Sequence, residues 1–489
     1  MRMAGVLFGV LVLLGQGLAQ RPVVTDAPEA HSPIALTALY DSNVGHNQFR
    51  FSGQTVPPTI RALPGTSIKL TYLNELPAHS TEKCALGPCM NHSNLHFHGL
   101  HVSPQSPQDD VLTMMAMPGQ QLKYSVAIPL YAAPGLYWYH THPHGESARQ
   151  DLDGMSGAII VEGIDRYYPE LRQMRERVLI LRDRDLDTET PAVRTTLLRQ
   201  VEVPSDHCGA STEKEPTERI FTLNGAIRPQ IAINPGERQF WRIVNASPDR
   251  YADLYLDGRQ MEIVALDGMP LSYHDRKQHT RKIDHALLAP AGRLEAIVKG
   301  PAAGARATLS SRCVDTGPDG DPSPAMAIAD IVSGVDGKPS LHKVPSTAGA
   351  PIYKEFPAGE IEKSKASPPD FTVVFTEDKN GFYINGKKFS MDSAPMLTAR
   401  VGSLQHWRIV NKTHELHPFH IHQVHFLAYS VNESPVDTPE WLDTVNVPYN
   451  GSVDLVMDFT DPVIRGMSVF HCHLLSHEDK GMMAKILFK

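Results

Sequence analysis

The sequence predicts an all-β protein built from three similar units. At 489 residues the chain is too long for one ordinary core, and about 150 residues per domain gives three domains. Its 35 Gly and 39 Pro, with few long apolar periodic runs, favour short strands joined by many turns. An internal repeat supports the same division.

The repeat is centred on a pentapeptide. Trp241 to Asn245 reads Trp-Arg-Ile-Val-Asn and recurs unchanged at Trp407 to Asn411, with a weaker echo at Leu70 to Asn74. Asn224-Gly225 and Asn385-Gly386 lie upstream of the two strong copies and fit hairpin turns. A turn pair precedes each copy: Pro64-Gly65, Pro235-Gly236 and Val401-Gly402.

The repeat divides the chain into three domains. We place boundaries near residues 162 and 333, which gives domains at residues 20–162, 163–333 and 334–489. Residues 334–370 are rich in Pro, Ser, Lys and Gly, which is typical of a connecting segment. Helical content should be small, with one short helical turn expected within His473 to Glu478 and ended by Gly481.

The first residues have the pattern of a secretory signal peptide. A single Arg2 precedes an apolar run too short to span a membrane, and Gly17-Leu18-Ala19 offers a cleavage site after Ala19, so residues 1–19 are expected to be removed. Without a twin-arginine pair, the general export route to the periplasm or the medium is expected. No later stretch resembles a transmembrane helix.

The charge and cysteine content narrow the function classes. The formal net charge is −8, and no basic tract indicates nucleic acid or an anionic membrane as a partner. Nothing in the sequence indicates an oligomeric state. Four of the five cysteines could form two disulfides in an oxidising compartment, with three possible connectivities. These four are Cys84, Cys89, Cys208 and Cys313.

The histidines concentrate in four clusters. On a strand, residues i and i+2 share a face roughly 6–7 Å apart, so a His-x-His pair can present two imidazoles to neighbouring metal ions. A single pair usually reflects only a polar strand face, whereas four clusters in matched units predict a metal centre. The clusters are His96-Phe97-His98, His140-Thr141-His142, His417 to His422, and His471-Cys472-His473 with His477.

The last cluster serves two faces of one strand. Alternation places His471 and His473 on one face and Cys472 on the other. A buried free thiol is the structural alternative for Cys472, but the flanking histidines argue against it. One three-residue segment can therefore contribute to two metal sites.

The residues around Cys472 suit copper. A soft thiolate with His477 five residues later matches a copper electron-transfer site, and the thioether of Met482, ten residues after the cysteine, could supply the weak axial contact. Met483 competes for that role, but its spacing fits less well. His417 is the natural candidate for the second histidine.

These clusters resemble the copper-binding motifs of the multicopper oxidases, which include laccases and bacterial cuprous oxidases. The resemblance extends over nearly the whole mature chain and includes order, spacing and flanking residues. It implies three consecutive cupredoxin-like Greek-key β-sandwich domains, with ligands in the first and third. The middle unit fits the family's copper-free domain, because His274, His279 and His285 lack ligand spacing.

The resemblance also implies four copper ions and assigns their ligands. The type 1 copper would be held by His417, Cys472 and His477, with Met482 axial. The type 2 copper would be held by His96 and His420. The coupled type 3 pair would be held by His98, His140, His142, His422, His471 and His473.

The implied reaction reduces dioxygen to water with four electrons taken singly from a small reductant. By resemblance, the reductant is oxidised at the type 1 copper, and electrons pass through Cys472 to His471 and His473. An axial Met usually gives a lower potential than an apolar residue, so a moderate-potential enzyme is expected.

Proton delivery needs a carboxylate beside the cluster. By resemblance, Asp109 and Glu478 match the family's acidic residues at this place, and the adjacent Asp110 is the alternative to Asp109. His144 lies on the same alternating face as the His140-Thr141-His142 pair, but the family pattern stops at two, so we interpret it as a neighbour of the ligands or a surface residue.

Several functions share these features. The leading hypothesis is a laccase-like oxidase of phenols or aromatic amines, and the second is a metallo-oxidase of Cu(I), Fe(II) or Mn(II) in copper tolerance. A copper nitrite reductase has no coupled copper pair, so ten histidines argue against it. A non-catalytic exported relative of the same fold would lack the ligands.

Overall fold

The computed structural model describes residues 21–42, 44–78, 91–187, 189–203, 219–277, 279–333 and 343–489. The predicted signal peptide, residues 1–19, lies outside the described residues, as do Cys84, Cys89 and Cys208. The described chain forms three successive pairs of sheets with few helices, which confirms the predicted all-β fold class.

The first pair of sheets has the strand orders β3-β2-β5-β7 and β1-β4-β9-β8-β6. A core that includes Leu36, Leu70 and Phe97 fills the space between them. The strands are β1 Glu29–Ala30, β2 Ile34–Asp41, β3 His46–Arg50, β4 Thr59–Ala62, β5 Ser67–Glu75, β6 His96–His98, β7 Gln121–Ala127, β8 Gly135–His140 and β9 Ser156–Val161.

The second pair has the orders β11-β10-β13-β19-β15-β16, with β17 beside β15, and β12-β21-β20-β14-β18. Leu254, Leu294 and Trp241 belong to its core. The strands are β10 Arg175–Asp185, β11 Arg219–Leu223, β12 Gln230–Ala232, β13 Arg238–Asn245, β14 Ala252–Leu256, β15 Met261–Leu266, β16 Met269–Pro270, β17 Arg281–Ile283, β18 His285–Leu288, β19 Arg293–Lys299, β20 Arg306–Arg312 and β21 Met326–Val332.

The third pair has the orders β23-β22-β25-β30-β27-β28 and β24-β32-β31-β26-β29. Its core includes Trp407, Phe419 and Cys472. The strands are β22 Phe371–Asp378, β23 Gly381–Ile384, β24 Leu397–Ala399, β25 Ser403–Asn411, β26 His417–Ile421, β27 Phe426–Val431, β28 Ser434–Leu442, β29 Thr444–Val447, β30 Ser452–Phe459, β31 Gly466–Cys472 and β32 Met483–Phe488.

The sequence repeat corresponds to a repeat in strand pairing. The parallel pairs β2–β5, β10–β13 and β22–β25 occupy equivalent places, as do β4–β9, β12–β21 and β24–β32. β9 ends at Val161 and β21 at Val332, so one pair of sheets ends beside residue 162 and the next ends beside residue 333. The domain boundaries placed there stay a prediction.

The two Asn-Gly pairs form the tight turns that the sequence predicts. The φ angles are +49° and +80° at Asn224 and Gly225, and +49° and +72° at Asn385 and Gly386. Positive φ at both central residues is the geometry that favours Asn followed by Gly in a hairpin.

The helices of the described chain are short, and none of them is long and apolar enough to cross a membrane. The last helix, Leu475–Asp479, overlaps the turn predicted within His473 to Glu478 and ends just beyond it, and Gly481, with φ of +119°, follows. Another helix lies inside the segment 334–370, where composition alone predicted only a connection. The α-helices are α1 Ser147–Leu152, α2 Pro191–Val201, α3 Glu360–Ala366 and α4 Leu475–Asp479.

Candidate metal centre

Eight buried histidines meet where the first and third pairs of sheets face each other. The ring centroids of His96 and His422 are 3.7 Å apart and those of His98 and His420 are 3.9 Å apart, so rings of one unit stack on rings of the other. None of the eight side chains is exposed. They are His96, His98, His140, His142, His420, His422, His471 and His473.

Strand register explains this convergence. In the antiparallel pair β6–β8, His96 lies opposite His140, and in β26–β31, His420 lies opposite His471. Directly opposed residues of an antiparallel pair point to the same face. Each opposed pair is then joined by the histidines two residues along the chain, which alternation places on that face.

Hydrogen bonds hold one nitrogen of most of these rings and leave the other facing the cluster. His96 donates from Nδ1 to the Asp109 carboxylate at 3.0 Å, and His98 donates from Nε2 to Asp443 Oδ1 at 3.1 Å. A ring that donates from one nitrogen has a lone pair on the other, which is the form that binds a metal. The nitrogens without a hydrogen-bond partner in the described part of the chain include His96 Nε2, His98 Nδ1, His140 Nε2 and His420 Nε2.

Three of the rings point their Nε2 atoms at one another, and hydrogen bonds among the three cannot satisfy all of these atoms. The Nε2 atoms of His142 and His422 lie 3.4 Å and 3.1 Å from Nε2 of His471. Nδ1 of His471 donates to the Cys472 carbonyl, so its Nε2 has one lone pair, which can accept from only one of the two neighbouring rings, whereas one cation between the three Nε2 atoms can bind all three lone pairs. The residues therefore fit a bound transition-metal ion.

Burial keeps seven of these imidazoles neutral. It lowers the pKa of His471 to about 3, and with neighbouring histidines it holds the pKa of the rings of His98, His140, His142, His420, His422 and His473 well below the usual range. Neutral imidazole is the state in which histidine coordinates a metal without first losing a proton.

A second cluster lies on the other side of the strand β31. His417 Nδ1 is 3.4 Å from Cys472 Sγ and 3.2 Å from Nδ1 of His477. All three side chains are buried, and their ligand atoms lie within 4.8 Å of one another. Two imidazoles and a thiol in this arrangement suit copper, for which soft sulfur ligands are preferred.

The thiol of Cys472 needs a cation to ionise. Cys472 is free and wholly buried, and burial raises the pKa of its thiol well above the ordinary value. The backbone N–H of Leu474 donates to Sγ at 3.4 Å, which is one weak contact for a thiolate. A coordinating metal ion deprotonates such a thiol outright.

Met482 and Met483 lie on opposite sides of the chain. Met482 belongs to the core that contains Cys472, and its backbone carbonyl accepts the Cys472 N–H at 3.0 Å. Met483 instead packs with Val111 and Phe389. The placement favours Met482 for an axial contact, as the spacing predicts.

The structure distinguishes between the two adjacent aspartates. Asp109 is buried and accepts from His96 Nδ1 and from the Phe97 N–H, at 2.9 Å for the latter. Asp110 instead accepts from the backbone N–H groups of Leu112 and Thr113 in its own turn. Only Asp109 touches a histidine of the cluster among these two.

Glu478 lies at the opposite side of the cluster. Its Oε1 is 3.9 Å from Nδ1 of both His142 and His144. Burial raises the pKa of Glu478 to about 8, so the carboxyl holds a proton near neutral pH. His144 is buried beside the ligands, which matches its interpretation as a neighbour of the ligands rather than a surface residue.

Arg293 and Asp443 were missed by sequence reasoning. Arg293 of β19 donates from both terminal nitrogens to the two oxygens of Asp443, at 2.8 Å for Nη1, and Asp443 accepts from His98. Both residues are wholly buried. No sequence motif marks these two residues. An arginine within a predicted strand is the only signal in the sequence that could have indicated them, because a buried arginine needs a charged partner. The middle unit thus orients a histidine of the first unit through a residue of the third.

Other histidines of the described chain lie outside the two ligand clusters. His274 stacks on Trp441 with centroids 4.1 Å apart, and His285 pairs with Asp253 at 2.7 Å. His425 donates from Nε2 to the carbonyl of Asp267 at 2.9 Å, at the edge of the cluster.

The sequence and structure match known proteins throughout. Three family models described as multicopper oxidase match residues 37–165, 188–305 and 362–489. The multicopper oxidase mco of Staphylococcus aureus is 23% identical over 460 residues, which are 92% of this chain and 86% of that protein. A laccase of Bacillus subtilis (strain 168) is 23% identical over 484 residues, with 88% of each chain covered.

Solved structures show the same fold. A multicopper oxidase from Campylobacter jejuni, described as a metallo-oxidase, superposes with a TM-score of 0.70 at 22% identity and covers 96% of each chain. A multicopper oxidase from Aquifex aeolicus superposes with a TM-score of 0.72 at 18% identity, over 96% of this chain and 100% of that one.

Proposed function

The chain belongs to the multicopper oxidase family, and from that premise we propose that it couples one-electron oxidation of a small reductant to four-electron reduction of dioxygen to water. The copper-dependent oxidase chemistry follows from the family. The observation that carries the full proposal is that two buried ligand clusters meet at one segment, His471-Cys472-His473.

The proposed copper count is four. The cluster of His417, Cys472 and His477, with Met482 nearby, would hold the type 1 ion. His96 and His420 would hold the type 2 ion. The pair would be held by His98, His140, His142, His422, His471 and His473. Bound copper supplies reversible one-electron chemistry, and four ions match the four electrons that dioxygen requires.

The segment at the end of β31 joins the two clusters covalently. Cys472 Sγ faces one cluster, and the rings of His471 and His473, with centroids 5.4 Å apart, face the other. A continuous path of covalent bonds within these three residues joins the thiol to both rings. These three residues give the shortest covalent path between the place of substrate oxidation and the place of dioxygen reduction.

Two carboxyl groups flank the eight histidines and support the proposed proton supply. Glu478 holds a proton on its carboxyl near neutral pH, because burial raises its pKa to about 8. Asp109 receives hydrogen bonds from His96 and Phe97 N, and thereby fixes the His96 ring. Water formation from dioxygen consumes four protons, so a protonated group close to the histidines serves the reaction.

The decisive test is metal content with spectra and oxygen uptake. The mature protein should bind about four copper ions per chain and show both a blue absorption band and oxygen consumption with a reductant. A count of none or one would exclude the proposal and favour a non-catalytic relative or a different copper protein.

A specific observation favours a cationic reductant, and hence the metallo-oxidase hypothesis. A small pocket beside His477 is lined by three acidic residues, Asp249, Asp321 and Glu415. Glu415 Oε1 lies 3.4 Å from His477 Nε2. Burial raises the pKa of Glu415 to about 9, and its contact with Glu377 adds to this effect.

A cation entering this pocket would displace the proton from the Glu415 carboxyl, and its charge would offset the repulsion between the carboxylates. A metal ion such as Fe(II) or Cu(I), or a protonated aromatic amine, therefore fits better than a phenolate. The similar Campylobacter jejuni structure is described as a metallo-oxidase.

Replacing Glu415→Gln should distinguish the substrate classes. Removal of one carboxylate contact to a cation costs about 1.5–3 kcal/mol, so kcat/KM for Fe(II) or Cu(I) should fall roughly tenfold or more while that for a neutral phenol stays within about twofold. Glu433→Gln, a change of an exposed glutamate, is the matched control. Equal losses with both substrates would contradict a cation site.

Export is part of the proposal. The signal-peptide pattern of residues 1–19 supports a periplasmic or secreted location, and the disulfide bond of Cys313 suits an oxidising compartment. Mass determination of the mature N-terminus, with Gln20 expected first, tests it.

A further inference from the structure

Gln423, directly after the ligand candidate His422, has a backbone conformation that its residue type rarely adopts. Its φ is +67°, in the left-handed region where Gly and Asn are the usual residues. The side chain is 1% exposed. A buried long side chain in strained backbone indicates that its contacts offset the strain.

The contacts of the Gln423 amide are specific. Nε2 donates to Oδ2 of Asp109 at 2.7 Å, and Oε1 accepts from the hydroxyl of Ser468 on β31. Because the Asp109 carboxylate only accepts hydrogen bonds, the amide nitrogen is the end that faces it, and the Ser468 hydroxyl then donates to the carbonyl end. The carboxylate of the first unit is thus tied to a residue of the third.

This amide completes the set of donors around Asp109. Oδ1 accepts the Phe97 N–H at 2.9 Å, His96 Nδ1 lies 3.0 Å from each oxygen, and Gln423 takes the remaining side of Oδ2. With donors on both oxygens, the carboxylate cannot rotate away from His96. The proton of His96 then stays on Nδ1, and Nε2 keeps its lone pair.

We propose that Gln423 is a positioning residue for the copper ion held by His96 and His420. It acts through Asp109, which it fixes in the orientation that aims His96 Nε2 at the metal. The inference rests on the proposed function, since that function places the type 2 copper at these two histidines.

Two variants distinguish the effect of side-chain length from the effect of backbone strain. Gln423→Asn suits positive φ but is too short to reach Asp109, and Gln423→Gly removes the amide and the strain together. Ser52→Gly is the matched control, because Ser52 is an exposed residue with φ of +48° remote from the histidines. Each protein is loaded with copper and dialysed against graded chelator, and the type 2 electron paramagnetic resonance signal, the blue band and the thermal midpoint of the copper-free form are measured.

We expect both Gln423 variants to hold type 2 copper roughly tenfold or more weakly, because without the amide Asp109 can turn away, and His96 then loses its outer hydrogen-bond partner. The blue band should be unchanged, and the copper-free midpoint should be equal or higher. The Ser52 control should retain full type 2 signal.

The outcomes separate this inference from the proposed function. Absence of a type 2 signal in the unmodified protein would overturn both. A normal signal in the unmodified protein that also persists in either Gln423 variant would overturn the inference alone. A lower copper-free midpoint in both variants would assign Gln423 to fold stability and would likewise overturn it.

Discussion

The strands β13 and β25 contain the same pentapeptide in two different surroundings. Trp241 and Trp407 are both wholly buried, and each donates from its indole to the glutamine two residues before it, Gln239 at 3.3 Å and Gln405 at 3.1 Å. The local structure of the two copies is therefore the same, and the differences between the units arise around it.

The arginine of the repeat differs most. Arg242 is wholly buried and pairs with Glu176 at 2.6 Å and with Glu295, whose carboxylate also accepts the Leu136 N–H of the first unit. Arg408 is 30% exposed and pairs with Asp454 and Glu433. The arginine of the repeat thus lies at a contact between units in the middle unit and near the surface in the third unit.

The strands that follow differ in chemistry. In the middle unit, β14 reads Ala-Asp-Leu-Tyr-Leu and β20 reads Arg-Ala-Thr-Leu-Ser-Ser-Arg, and they occupy the places of β26 and β31 in the sheet order. Histidines fill those places in the first unit, on β6 and β8, and in the third unit, on β26 and β31, whereas the cysteine occurs only in the third. The scaffold and the ligand set are therefore separable, and the ligands are a property of two strands.

The largest effect should come from removing the thiol. Cys472→Ser should abolish the blue band and oxygen uptake together, because the hydroxyl is a poor copper ligand and the covalent path between clusters loses its sulfur. Ser311→Ala, at the equivalent strand β20, is the control and should retain both. If oxygen uptake survived in the Cys472 variant, the assigned electron path would be wrong.

The two arginines should differ in stability. Arg242→Met leaves Glu295 buried without its partner arginine, whereas Glu176 keeps its pair with Arg61, and the change should lower the free energy of unfolding by about 3–5 kcal/mol. Arg408→Met removes a partly exposed pair and should cost about 0–1 kcal/mol. Urea unfolding of the copper-free proteins measures both, and equal losses would show that burial is not the cause of the difference.

The two asparagines should behave alike. Asn245 donates to the carbonyls of Arg250 and Leu288, and Asn411 donates to those of Glu415 and Val447. Replacing either by Ala should cost about 1–3 kcal/mol, since buried carbonyls lose their donor.

Only Asn411→Ala should also shift the blue band. Its Oδ1 accepts from Thr413, whose hydroxyl lies 2.9 Å from Nε2 of His417. Absorption spectra of the two loaded variants check this, and an unchanged band in both would limit the asparagines to a scaffold role.

Local sequence patterns predicted the fold class and the histidines that the structure brings together. A strand has a side-chain period of two, so His-x-His spacing and the alternation around Cys472 could be interpreted without a structure. The resemblance to the multicopper oxidases also placed Glu478 beside the cluster, where the structure has it. The contribution of Arg293 and Asp443 could not be predicted, because it depends on three units meeting at one place.

The sequence by itself predicted the three-unit β architecture and a copper site at Cys472, because these follow from the repeat, from short-range periodicity and from the donor atoms of the residues, and the resemblance to the multicopper oxidases supplied the full set of candidate ligands. The tertiary structure decided which nitrogen of each ring faces the cluster, that Asp109 rather than Asp110 touches His96, and that carboxylates surround His477. These features depend on distances between segments far apart in the chain, and only packing fixes such distances.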